Sequence, residues 1–301
     1  MKLEKMSKIK SLGHPASSID LAISENRRYL LSVGVYKPCV KIYDFENLAQ
    51  KVERHLESEP ARVLSLVPDA SKICILRGDR TIEFHAKYGH HEGIRTPTVC
   101  FDICLNKFRA ELMSGGKGSA VYRFNLDQGR FLRSYAVTID EIYSIEMNEC
   151  NGLIGVGGAG GVQFIDQRCK EIVKSVEYNE SPSSITFAEN GIDFGVGTNE
   201  GTVYFHDLRA RKELFSVKHD QRIKKVTFNG KILISLDRGA LRCCSRTGMV
   251  GEYLSSSEMN CLTCDGGVVF IGLDNGEISE MISEDLGEIP QWCKVFGDQV
   301  D

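Results

Sequence analysis

A short apolar run, a Gly/Asn/Asp turn and a second alternating run recur seven times along this chain, and the period restricts the fold more than any other feature. Aligned on an apolar residue of the second run, the anchors are Ile42, Phe84, Phe124, Phe164, Phe205, Cys243 and Glu280, the last a degenerate copy. Their spacings are 42, 40, 40, 41, 38 and 37 residues. A unit of this length cannot bury both faces of its own strands, so it must stack on copies of itself. Repetition at this period is the signature of radially arranged four-stranded blades. The expected fold is all-β, a seven-bladed β-propeller. Seven units use about 280 of the 301 residues, which predicts one propeller over residues 1–289 and a short carboxy-terminal extension over 290–301.

Blade one shows the grammar most clearly. An alternating run at 18–23 leads through a polar turn to the apolar run Tyr29 to Val33, then past Lys37-Pro38 to Val40 to Phe45, with the more polar Lys51 to Leu56 outermost. Middle strands covered on both faces read as near-continuous apolar stretches. The hairpin turns are expected at Gly/Asn/Asp positions such as Gly78-Asp79, Gly115-Gly116 and Gly157 to Gly161, which tolerate positive φ. After Ile282 no good outer strand remains, whereas Leu3 to Leu12 has nothing else to pair with. The amino-terminal strand (residues 1–12) is therefore expected to close the ring by completing the last blade, removing two exposed edges.

Composition narrows the function classes. With 42% hydrophobic and 26% charged residues the chain is an ordinary globular sequence. A net charge of −4 gives no overall basic footprint, so any RNA contact must be local. No stretch approaches a membrane span and no apolar core follows the charged amino end, so no membrane partner and no secretion are expected. The eleven cysteines, odd in number and mostly within strand-like runs, are expected as reduced core thiols.

Motifs that look chemical fail on context. GVGGAG at Gly155 to Gly160 matches a dinucleotide fingerprint but runs into a strand-like VQFID rather than a helix, and SGGKGS at Ser114 to Ser119 resembles a P-loop fragment but lacks its first glycine at the required spacing and also runs into a strand. The pairs Cys261/Cys264 and Cys100/Cys104 fall about four blades apart, too far to share a tetrahedral zinc site. No metal, cofactor, small-molecule substrate or catalytic residue is expected. The strongest basic feature is Asp207 to Lys225, with seven cations (Arg209, Arg211, Lys212, Lys218, Arg222, Lys224 and Lys225) against three acids. It is expected on the rim and one face, where it suits phosphate contacts, although a solvated outer strand carries the same residues.

Several stretches owe little to propeller grammar: VGVYKPCVKIYD (33–44), VERHLES (52–58), DRTIEFHAKYG (79–89), VYRFNLDQGRFL (121–132), GTNEGTVYFHDLR (197–209) and PQWC (290–293). In order and spacing they resemble the WD-repeat propeller of the nucleolar protein 10 family, also called essential nuclear protein 2. DRTIEFHAKYG and DQGRFL are the specific pieces. The resemblance implies a non-enzymatic scaffold of the small-subunit processome in the nucleolus and nucleus. It also implies partners among assembly factors of the apoptosis-antagonising transcription factor (AATF/Traube) and neuroguidin types, and pre-rRNA. The family usually continues past the tryptophan-cysteine motif into a lysine-rich tail, whereas this sequence ends at Asp301. It is thus similar to a compact version lacking that tail, or to a truncated one, and tail contacts are not carried over.

Within these stretches Arg54, His55, Glu57 and Glu59 are expected to be exposed at the blade-one outer strand and its exit. The first three and Arg130 are candidate partner contacts. Arg80 and Glu83 cannot face the same side, so at least one should make a structural hydrogen bond, and His85 is expected to be structural too. Phe131 is expected in the core. Trp292, the one tryptophan, is expected to pack the carboxy-terminal segment onto the ring. The competing functions are a generic WD-repeat adaptor, such as a ubiquitin-ligase substrate receptor, and a propeller enzyme with a site at the central channel, for which no repeated set of acids and histidines is evident.

Overall fold

A computed structural model describes residues 4–6 and 12–294. Seven four-stranded antiparallel sheets are arranged as blades. In blade one the strands run outward as Ser18–Ile23, Tyr29–Gly34, Cys39–Asp44 and Ala49–His55. Every residue of Tyr29–Gly34 is buried, because both faces of a middle strand meet a neighbouring blade, whereas Ala49–His55 is mostly exposed. Apolar side chains fill each interface between blades: Leu31, Val33 and Ile42 meet Val63, Ile73 and Ile75 of blade two, all buried. Each such side chain contributes about 1.5–3 kcal/mol of burial.

All seven repeat anchors fall in third strands. Across their hairpins they face Leu31, Cys74, Leu112, Gly155, Gly195, Ile234 and Phe270. The pairs trade volume. In blades four and five a Phe faces a Gly, and a Cβ on that Gly would strike Phe187 or Leu233 of the next blade. Blade seven reverses the order, with Phe270 on the second strand and Glu280 on the third.

The ring closes through its amino end. Glu4–Met6 pairs antiparallel with the last strand, Glu4 facing Ile282 and Met6 facing Glu280. The rest of that expected strand, residues 7–11 with Lys8 and Lys10, lies outside the described residues, as do 1–3 with Lys2. At the other end, the short helix Gln291–Lys294 places Trp292 against Phe45, ring centroids 4.6 Å apart, and Phe45 in turn stacks on Phe270 at 5.3 Å. The carboxy-terminal segment therefore straddles the closing joint between blades seven and one. The remainder of the predicted extension, 295–301, lies outside the described residues.

Two turn expectations are corrected. Gly115 and Gly116 end a strand, Glu111–Gly116, and the turn beyond them holds Gly118 at φ 109°. Gly157 and Gly158 likewise sit in Leu153–Gly158. These glycines serve close approach: a Cβ would lie 2.0 Å from the Val99 carbonyl oxygen at Gly116 and 1.9 Å from that of Glu141 at Gly158. At Gly78-Asp79 the positive φ belongs to Arg80. All eleven cysteines are free thiols, most of them buried, and burial pushes those of Cys74, Cys243 and Cys261 up to about 12.

Candidate functional site

The inner strands of the seven blades begin at Ser18, Pro60, Cys100, Ile142, Pro182, Lys225 and Met259 and meet around the axis. In each, one residue immediately before a buried aliphatic faces its neighbour: Asp20, Arg62, Asp102, Ser144, Ser184, Lys225 and Cys261. Four of them join consecutive blades by accepting a backbone N–H. Asp20 Oδ2 accepts from Val63 at 3.1 Å and Asp102 Oδ2 from Ile145 at 2.9 Å. Ser144 Oγ accepts from Ile185 at 3.3 Å and Ser184 Oγ from Val226 at 3.2 Å. A bulge beside Asp20, Asp102, Ser144 and Ser184 turns these side chains toward the next blade.

Charge is balanced within this belt. Arg62 donates to Asp102 at 3.0 Å and to Asp20 at 3.3 Å, and Lys225 donates to Asp20 at 3.0 Å. Burial opposes ionisation of Asp20, but Lys225, Arg62 and the Val63 amide outweigh it and hold the carboxyl below its ordinary pKa. All of the belt residues but Cys261 line a channel of about 270 Å³. One end opens into a wider mouth of about 480 Å³, where the walls are apolar and the rim carries Glu25, Glu146, Glu149, Glu189 and Lys107. Burial, with Asp102 nearby, pushes the Glu146 carboxyl up to about 7. Among the described residues no group of three or more His, Cys, Asp or Glu could hold a metal.

The predicted basic cluster is not one patch. Lys225 is inside the channel on Asp20, and Lys224 is half-buried and donates to Asn260. Arg209 is exposed but folds back onto Asp207 at 2.8 Å. Arg211 and Lys212 are exposed in the loop before the outer strand Phe215–Lys218, whereas Arg222 is exposed beyond that strand, on the opposite face, with Lys218 between on the strand itself. A strand running from one face to the other necessarily separates charges that are contiguous in sequence.

The predicted partner contacts are also dispersed. Arg54 is half-buried rather than exposed, donating to the Lys87 carbonyl of blade two at 3.1 Å. His55, Glu57 and Glu59 are exposed, and Glu57 lies 3.4 Å from buried Arg77. Arg130 is exposed and donates to Gln128 at 2.8 Å, two blades from Arg54. Phe131 is not core: it is 40% exposed and meets Phe124 edge-on, because a fourth strand has an open outer side. Arg80 and Glu83 both make structural bonds, to the Thr96 carbonyl at 2.8 Å and to Arg77 respectively. His85 is buried, with Nε2 on Glu83 at 3.1 Å and Nδ1 without a hydrogen-bond partner among the described residues.

Similarity to known proteins agrees with this geometry. Residues 2–300 match the family model described as Nucleolar protein 10-like, N-terminal domain. The chain belongs to that family. Ribosome biogenesis protein ENP2 of Saccharomyces cerevisiae is 28% identical over 300 residues, covering 92% of this chain and 42% of that protein. Nucleolar protein 10 of Homo sapiens is 29% identical over 302 residues, 93% of this chain and 44% of that protein. The chain thus spans less than half the length of these curated relatives. The stretches that carry the family resemblance are largely internal fastenings. DRTIEFHAKYG supplies Arg80, Glu83 and His85, VYRFNLDQGRFL supplies Arg123, whose guanidinium is buried on Glu111 at 2.8 Å, and PQWC supplies the Trp292 clamp.

The belt and the acidic mouth were not found from sequence. Their one signal is position relative to the repeat anchor, and that offset drifts from 22 residues in unit one (20 to 42) to 18 in unit six (225 to 243).

Proposed function

We propose that this chain is a non-enzymatic scaffold of ribosome biogenesis in the nucleolus. In the small-subunit processome it would hold assembly-factor segments, including those of the AATF/Traube and neuroguidin types, near pre-rRNA. The observation that carries the reading is the match, over 92% of this chain, to a protein named for ribosome biogenesis. The architecture supports it physically. A ring held by blade-spanning hydrogen bonds and a charge-balanced belt is rigid, and rigid propeller surfaces suit extended peptide segments, which lose little further entropy on docking. Direct phosphate contact would rest on exposed cations such as Arg211 and Lys212, since Lys225 is held on Asp20 at the axis and Arg209 on Asp207.

The test is affinity purification of the tagged protein from its own cells, with mass spectrometry of the copurifying proteins and sequencing of the RNA. Small-subunit assembly factors together with precursor ribosomal RNA are the expected result. Recovery of ubiquitin-ligase subunits, or of no partner, would overturn it.

A further inference from the structure

We propose that the face bearing the channel mouth is a docking track for an extended basic segment of a partner protein, its apolar side chains seated between blades two and three and its Lys or Arg side chains in the acidic mouth. This rests on the scaffold reading and assigns the surface and the chemistry of the partner.

Charge complementarity selects the occupant. The mouth carries the carboxylates of Glu25, Glu149 and Glu189 and the Glu146 carboxyl, pushed up to about 7, against the ammonium of Lys107. Lys107 is already engaged by Glu25 at 3.4 Å and Glu149 at 3.1 Å. Among the described residues Glu146 and Glu189 have no side-chain hydrogen bond or ion pair. A half-buried carboxyl without a partner is costly, and an arriving cation would restore its ionised form. Phosphate would be repelled from the same rim.

The second half of the track has aromatic and aliphatic walls with a polar margin of Lys72, His91, Glu92 and Asp127. A groove of about 540 Å³ between blades two and three is lined by Phe84, Phe124, Leu126 and Tyr88, the last 74% exposed. Leu66 and Val67 line both this groove and the mouth, so the two cavities share a wall. Phe108, which follows Lys107 in the short turn Lys107–Arg109, is 76% exposed, and Phe131 meets Phe124. Tyr88 on the groove, Phe108 beside Lys107 in sequence and Phe131 against Phe124 are large aromatics left open around two adjoining cavities, the kind of anchors expected of an interface core.

The experiment is fluorescence anisotropy of the full chain with synthetic peptides of about a dozen residues: one alternating Arg with Leu and Phe, its counterpart with Glu for Arg, and one of Arg and Ser. The Arg/Leu/Phe peptide is expected to bind most tightly, with affinity falling as salt rises. Glu146→Gln with Glu189→Gln should weaken it about tenfold and flatten the salt dependence, and Tyr88→Ala should weaken it several-fold. Glu171→Gln with Glu177→Gln, exposed on the outer strand of blade four, should leave it unchanged. Should the double variant at the mouth melt early, Glu189→Gln alone, at an exposed position, serves in its place. Equal losses from mouth and control variants, equal binding of the Glu peptide, or competition at the mouth by an RNA homopolymer would overturn the proposal. If the peptides fail while the wild-type chain still recovers precursor particles from cells, the track is wrong and the scaffold reading stands.

Discussion

Lys225 Nζ lies 3.0 Å from Asp20 Oδ1, pairing a cation of blade six with a carboxylate of blade one, 205 residues apart in sequence and past the intervening blade seven. The same carboxylate accepts from Arg62 and from the Val63 amide. One side chain thus ties blades one, two and six together at the axis.

Removing that carboxylate should therefore cost more than removing one of its partners. Asp20→Asn leaves Lys225 without its anion, with an expected loss of about 3 kcal/mol in urea unfolding. Lys225→Met leaves Asp20 still paired with Arg62 and should cost less, about 1–2 kcal/mol. Asp20 titrates below its ordinary value of 3.8, so its contribution is present above that pH and is lost as pH falls through the folded-state value. The pH dependence below 4 should shrink in Asp20→Asn. Equal losses from the two variants would show that the belt does not converge on Asp20.

Glu280 predicts the opposite behaviour. The residue is 2% exposed, among the described residues neither carboxyl oxygen has a hydrogen-bond partner, and burial pushes the carboxyl up from 4.5 to about 8. The folded chain holds the proton longer than the unfolded one. Its contribution is full below about pH 4.5 and is lost as pH rises through about 8. Glu280→Gln cannot ionise and should raise Tm at pH 8 by several degrees while changing it little at pH 4. Thermal unfolding across this range checks it, and a parallel shift at both pH values would refute the mechanism.

Trp292→Ala should undo the carboxy-terminal clamp. The indole is half-buried against Phe45 and close to Phe270 at 6.1 Å, so its loss should cost about 2–3 kcal/mol. Trp292→Phe, which keeps a ring in the stack, should recover at least half of that. Hydrogen exchange should show the blade-seven strand Ile278–Ile282 opening first.

Arg211→Glu with Lys212→Glu isolates the RNA question. Both positions are exposed and neither has a partner among the described residues, so folding should be unchanged. If this loop touches phosphate, binding to structured RNA should weaken and the slope of its logarithm against that of salt should fall by about two. An unchanged slope would return these residues to a solvated surface. Reversal at Lys225 would not test this, because it would break the belt.

The repeat was legible in the sequence because alternation and spacing are properties of a single strand pair. A middle strand buried on both faces must read as YLLSVG or ICILR, and seven such runs about 40 residues apart can only stack radially. Ring closure by the amino end and the Trp292 clamp followed from the same reasoning, since each had an unpaired edge or an isolated aromatic to place. What a side chain faces across the ring is a different kind of fact. Bulges shift the register of most inner strands near their start, and the anchor-to-axis offset changes from blade to blade, so period alone could not show that Asp20, Arg62, Asp102 and Lys225 converge. Nor could it show that a contiguous basic stretch is divided between two faces and the axis. Fold and closure could be read from the chain because they depend on local patterns repeated in order, and the family from short stretches outside that pattern. Which charges are spent inside the ring and which remain at its acidic mouth emerges from the assembled blades alone, because it depends on the directions in which seven separate strands present their side chains.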